Sequence, residues 1–268
     1  MLKKLYLLLL LFFTPFLTTQ ALAGACTDIT ADDATTTISA DCTDLDISGD
    51  DTTTTINSGV TVSTTGGNEA LTYPSTSTGG YITNNGTIQS LNNDGLTLRG
   101  GLIELNNTGT ITADGTRGLY ATGDSSITTL TNSGTITAGS GDGVYNDGTI
   151  TTFTNTGTIS QINNVDTITT FNNDQGKVDS DYVEWKINLP TNYNIIINST
   201  SDYGITNFTS PSGTLNFGID SSSTINDSYY SNVLTGLSSS YINNDSGSTT
   251  INGTIYTWNL KNPSGTTW

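Results

Sequence analysis

A five-residue phrase, Asn-x-Gly-Thr-Ile, recurs through the middle of this chain and restricts its possible folds more than any other feature. It reads Asn84-Asn85-Gly86-Thr87-Ile88, then returns at 107–111, 132–136, 146–150 and 155–159, with a worn copy, Asn164-Val165-Asp166-Thr167-Ile168, after them. Repetition at this density marks a repeat architecture, in which one unit cannot bury its apolar residues alone and neighbours must stack.

Aligned, the repeats resolve into three columns. The glycine of the phrase falls at Gly86, Gly109, Gly134 and Gly157, spaced by 23, 25 and 23 residues. A small residue followed by an apolar one recurs at Ala70-Leu71, Gly95-Leu96, Gly118-Leu119 and Gly143-Val144. The third column is apolar and lies two before the asparagine: Ile82, Leu105, Leu130, Phe153, then Phe171. Columns in step predict three short strands per unit. Between Gly109 and Ser133 these are Thr110-Ile111-Thr112, Gly118-Leu119-Tyr120-Ala121 and Ile127-Thr128-Thr129-Leu130. Alternation turns Ile111, Leu119, Ile127 and Leu130 to one face and threonines to the other. Asp114-Gly115, Gly123-Asp124 and Asn132-Ser133-Gly134 supply the turns.

The expected fold is all-β, a right-handed parallel β-helix with three strands per coil and a repeat of 23 to 25 residues. Ile88, Ile111, Ile136 and Ile159, with Leu105, Leu130 and Phe153, form its core. Asn84, Asn107, Asn132 and Asn155 predict an internal ladder, each amide bonding the next coil; plain turn asparagines are the competing reading.

The remaining organisation follows from composition. Residues 1–23 read as a cleaved signal peptide: Lys3 and Lys4, an apolar run over 5–17, then Ala21-Leu22-Ala23 at the cut. Thirteen positions interrupted by Thr14 and Pro15 fall short of the ~20 apolar residues of a spanning helix. No other such stretch exists, so no transmembrane helix is expected in the mature chain. Residues 24–58 read as an N-terminal cap, 59–178 as the coils, and 179–268 as a C-terminal β segment, with a broadened continuation of the helix favoured over a sandwich-like cap. After Ala23 there are six aromatic residues before Tyr182 and twelve from there to Trp268, so the last segment needs a bulkier core.

The mature chain has five basic side chains against 24 acidic ones, a net of −19. Without a basic patch it is not expected to bind nucleic acid or anionic lipid. Eight aspartates lie between Asp28 and Asp51, read as the solubilising charge of an extracellular surface. Cys26 and Cys42, the two cysteines of an exported chain, predict a disulfide worth about 3 kcal/mol. An acylated Cys26 is the alternative, but Leu22-Ala23-Gly24-Ala25-Cys26 is one alanine too long for a lipoprotein signal and would strand Cys42.

Signal peptide, cap, Asn-x-Gly-Thr-Ile coils and the aromatic C-terminal segment together resemble the passenger region of bacterial autotransporters, the type V secretion proteins. The coils from about Val60 to Val178 carry most of the resemblance, and the stretch from Tyr182 is similar to the segment that precedes the translocator barrel. The resemblance implies a cell-surface, outer-membrane or extracellular location and an adhesive role. The barrel itself is missing: stepping back by two from Trp268 gives Thr266, Ser264 and Asn262, which is no barrel strand. Either a barrel lies downstream or the protein is a free-standing relative of passengers.

Catalytic chemistry has little to work with. Some β-helices are polysaccharide lyases or hydrolases, which need a proton-abstracting base or paired carboxylates. The coils offer Arg99 and Arg117 at different offsets, and Glu104, Asp114, Asp124, Asp142 and Asp147 read mostly as solvated turn residues. Histidine is absent, which excludes a Ser-His-Asp triad. Neither a calcium-binding nonapeptide nor an EF-hand is present, so no metal or cofactor is expected. Outward threonine pairs (Thr110 and Thr112, Thr135 and Thr137, Thr149 and Thr151) resemble an ice-binding face, broken by Gln89 and Ser160. The function expected is that of a structural or adhesive surface protein whose variable turns meet a receptor or glycan. A carbohydrate-active enzyme is the first alternative and ice binding the second.

Overall fold

The computed structural model describes residues 23–268 except 65, 178–180, 227 and 263, so residues 1–22 of the expected signal peptide lie outside the described residues. The chain winds through three sheets in rotation. The first holds seven parallel strands: Gly24–Ala25, Cys42–Thr43, Thr61–Thr64, Thr87–Ser90, Thr110–Ala113, Thr135–Ala138 and Thr158–Ile159. The second collects strands such as Leu71–Tyr73, Leu96–Leu98, Arg117–Ala121 and Asp142–Asn146, and the third strands such as Gly101–Asn107, Ser126–Asn132 and Thr149–Asn155. Each coil contributes one strand to each sheet, making a parallel β-solenoid.

Register stacks like on like. Ile88, Ile111, Ile136 and Ile159 pair in one file of the first sheet, and Ile82, Leu105, Leu130, Phe153 and Phe171 in one file of the third. Leu71, Leu96, Leu119, Val144, Ile162 and Trp185 make the second sheet's file. All are buried. Each file sheds its apolar surface against the coil above and below, which a single coil could not do.

The phrase builds the corner between the third and first sheets. Asn84 donates from Nδ2 to Asn107 Oδ1 at 2.7 Å and to the Thr110 carbonyl at 3.1 Å. Asn107 donates likewise to Asn132 at 2.7 Å, Asn132 to Asn155 at 2.8 Å and Asn155 to Asn173 at 3.2 Å. All five asparagines are buried, so the ladder satisfies amides that would otherwise be costly to hold in the core. The glycine is a steric requirement: a Cβ on Gly109 would collide with the Gly86 carbonyl oxygen, and one on Gly134 with that of Gly109. The copy at 146–150 belongs to another corner, between the second and third sheets, where Asn146 donates to Asn164 Oδ1 at 2.7 Å and Asn164 to the Asn188 carbonyl at 2.8 Å. Thr149 and Thr151 therefore lie on the third sheet and not on the first with Thr110 and Thr135. One phrase serves two corners because both need an inward amide and a close turn.

The 24–58 stretch joins the same sheets: Gly24 pairs with Cys42, Cys42 with Val62, Leu45 with Leu71 and Thr35 with Thr53. Cys26 and Cys42 form a disulfide, with their Cα atoms 4.9 Å apart. Its aspartates do more than carry charge. Asp28, Asp32, Asp41 and Asp50 accept backbone N–H groups of Asp46, Asp50, Thr61 and Thr78 in the next coil at 2.7–3.2 Å. Asp33, Asp44 and Asp51 take left-handed corners, with φ of 56°, 56° and 52°, a conformation aspartate tolerates better than most residues. Seven of the eight thus hold corners, which the reading as solubilising charge did not anticipate.

Beyond Asn173 the second and third sheets continue, through Asp181–Asn188 and Thr206–Ser212 in one and Asn192–Ile195 and Asn216–Ile219 in the other. The first sheet ends at Thr158–Ile159. Gln175, 6% exposed, closes it: Oε1 accepts the Ile159 N–H at 2.7 Å and Nε2 donates to the Ile159 carbonyl at 3.1 Å. The side-chain amide thereby stands in for the peptide group of an eighth strand. An antiparallel hairpin, Ser246–Ile251 with Thr254–Asn259, lies at the far end, where Trp258 packs 5.2 Å from Phe217.

Candidate functional site

The asparagines, isoleucines, leucines and Phe153 singled out in the sequence all point inward and build the rod. The outer faces are left for contact with other molecules, and one of them concentrates the chain's scarce cations. Along the second sheet, outward positions pair Tyr120 with Tyr145, Tyr145 with Asn163 and Asn163 with Lys186, and Thr97, which pairs with Tyr120, is buried. The residue before the small-apolar column runs Glu69, Asp94, Arg117, Asp142 in successive coils.

Arg117 is the centre of this face. Its guanidinium carbon lies 4.0 Å from the ring centroid of Tyr120 and 4.3 Å from that of Tyr145. The two rings meet edge to face at 5.5 Å. Stacking a cation on both rings is favourable by about 0.5–1 kcal/mol per ring at exposed sites. Arg117 Nη1 also lies 3.6 Å from Asp94 Oδ2. Arg99 pairs with Glu69 at 2.6 Å in the coil before. Lys186 approaches Asp142 at 3.6 Å, and Asp142 also accepts from Gln161 and, at 3.0 Å, from Asn163. Next to Lys186, Ile187 takes the left-handed region (φ 70°) at a register shift, a strained place for a β-branched residue.

Burial shifts the pKa of Asp94 on this face. Its side chain is 5% exposed, and loss of hydration raises the pKa above the usual carboxylate value against the opposing pull of Thr116 Oγ1 and Arg117. Glu69 nearby adds to the rise.

Arg99 and Arg117 do sit at different offsets in the sequence, yet the coil brings both to one face. The missed signal was the shared column: Arg117 and Asp142 each precede a glycine of the small-apolar column, and Tyr120 and Tyr145 each follow its apolar residue. The turn carboxylates do not converge, and among the described residues no three His, Cys, Asp or Glu side chains gather as a metal site. No described helix is long and apolar enough to cross a membrane.

Fold and face together define a class: a parallel β-solenoid of seven three-sheet coils with an arginine–tyrosine cluster on one outer sheet. No family model, curated protein or solved structure matches the chain.

Proposed function

We propose that this protein is an exported, non-catalytic surface protein of the autotransporter-passenger type, a rigid acidic rod that holds the Arg117 face toward a surface receptor or glycan. The observation that supports this reading most directly is the gathering of Arg99, Arg117 and Lys186, each beside an acid, around two tyrosines on one sheet. Tyrosine and arginine supply large contact areas with polar tips, the composition of recognition surfaces. Export rests on the leader sequence and the paired cysteines.

An array of glycans and matrix proteins tests the reading. The intact mature protein binds at least one of them, and Arg117→Ala weakens that binding about tenfold, as for a central arginine anchor. Uniform failure to bind, with surface attachment unchanged in a deletion strain, rejects it. A carbohydrate-active enzyme is the second reading, favoured by the buried Asp94 with its raised pKa beside Arg117. Release of unsaturated or reducing ends from a polysaccharide panel would establish that reading in place of the first.

A further inference from the structure

A second outer face, on the third sheet, has a different chemistry. Its nine strands hold a single charged residue, Glu104, in a chain with 24 acidic side chains. Two outward files run along it. One pairs Thr129, Thr152, Thr170, Asn192 and Asn216, and the other Thr131, Thr154, Asn172 and Asn194. The amides are linked along the axis: Asn172 Nδ2 donates to Thr154 Oγ1 at 3.1 Å, Asn194 to Asn172 at 2.9 Å and Asn216 to Asn192 at 3.1 Å. Asn243 extends the line, donating to Asn216 Oδ1 at 3.1 Å.

Folding alone does not call for these residues. Asparagine is depleted in strands, and threonine would serve a wet face better, as it does in the coils above. The buried ladder already supplies amide stacking. Each outer amide has two N–H donors and two acceptor lone pairs, and the ladder engages only part of that set. Half-exposed side chains therefore repeat at about 4.8 Å along the axis and about 6.7 Å across it, a flat grid of donors and acceptors. Eight strand spacings make the face about 38 Å long. Tyr81, paired with Glu104 in the same file and 39% exposed, adds an aromatic ring to it.

Charge selects the partner. The face has no cation for an anionic polymer, and the net negative charge of the chain repels one. We infer that the third sheet docks a flat, neutral, hydroxyl-rich polysaccharide surface, with the amide and hydroxyl files bonding its hydroxyls and Tyr81 lying against a sugar ring. Ice also offers a flat lattice of donors and acceptors, but an aromatic ring standing in the file suits a sugar and interrupts a water lattice. This face is separate from the Arg117 cluster, so either proposal can fail alone.

The test is depletion of the intact mature protein from solution by suspended crystalline cellulose or chitin. Binding is expected on at least one. Asn194→Asp with Asn216→Asp weakens it about tenfold, the loss of the amide N–H donors at two positions. Tyr81→Ala, which leaves the threonines and asparagines of both files in place, weakens it by a smaller factor and provides the readout if the double variant does not fold. Absence of depletion on both polysaccharides overturns the inference. So does depletion that a folded double variant and Tyr81→Ala leave unchanged, or retention by ice alone.

Discussion

The coils before Asn173 and the segment after it share two sheets but fill their interiors in different ways. In the coils, three corners per turn enclose a narrow core of stacked isoleucine and leucine, and buried asparagines satisfy one another across coils. Past Asn173 the first sheet is gone, and aromatic rings fill the wider space. Phe171 packs 4.9 Å from Trp185, Trp185 lies 6.1 Å from Phe208, and Tyr193 lies 6.2 Å from Phe217. The last full copy of the phrase, at 155–159, leads into the last strand of the first sheet, whereas the copies at 146–150 and 164–168 lead into the third. A repeat motif here reports a close corner with an inward amide, not which sheet comes next or whether the solenoid goes on.

Continuity of the second and third sheets predicts that the two regions unfold together. All three tryptophans, Trp185, Trp258 and Trp268, lie in the later segment, so their fluorescence reads that region alone while far-UV circular dichroism reads both. The severest perturbation is Ile136→Asp, which puts an unpaired charge into the coil core and should cost more than about 4 kcal/mol. Both signals are expected to be lost together. Native tryptophan emission persisting beside a lost dichroism signal would show two independent units.

Trp185→Ala comes next, at about 3–5 kcal/mol for a large buried aromatic. It removes the ring that joins the second-sheet file to the aromatic cluster, and the midpoint in urea should fall by both probes. A smaller loss, about 2–3 kcal/mol, is expected for Gln175→Ala, which strips the Ile159 N–H and carbonyl of their partners where the first sheet ends. Faster amide exchange at Ile159, ahead of that at Ile136, would locate the effect, and unchanged exchange there would contradict the capping role.

The smallest effect is that of Asp94→Asn. The folded pKa of Asp94 is raised by burial, so the folded state holds its proton more tightly than the unfolded chain. Its contribution to stability is therefore greatest below the ordinary aspartate pKa and falls as pH rises through the raised value. Asparagine should remove this slope: the melting temperatures of variant and parent diverge in the variant's favour between acid and neutral pH. Divergence in the opposite sense would mean that the Arg117 pair outweighs the burial.

The coils were legible because their physics is local and repeated. Ile111 alternates with threonines, Gly109 must yield to the carbonyl beneath it, and Asn107 recurs two residues before that glycine. The copy at 146–150 was harder, since an identical phrase serves a different corner and only strand pairing tells them apart. The aspartates between Asp28 and Asp51 looked like a charged surface, because composition does not show which carboxylate reaches a backbone N–H eighteen or more residues away. The aromatic residues after Tyr182 announced a bulkier core, but nothing local reveals that a glutamine side chain would end one sheet while two others continue.

By itself the sequence determined the solenoid, its three strands per coil, the inward file of each and the strongly acidic surface. These rest on periodicity and on which side chains can share a buried, close-packed file. Only the tertiary structure decided which outward residues meet. Arg117 and Tyr120 share a strand but Tyr145 lies in the next coil, and Thr154, Asn172 and Asn194 lie in three different coils, so their proximity depends on coil length and register summed over each turn. A difference of one residue in that sum would turn each of them to the other face of its sheet.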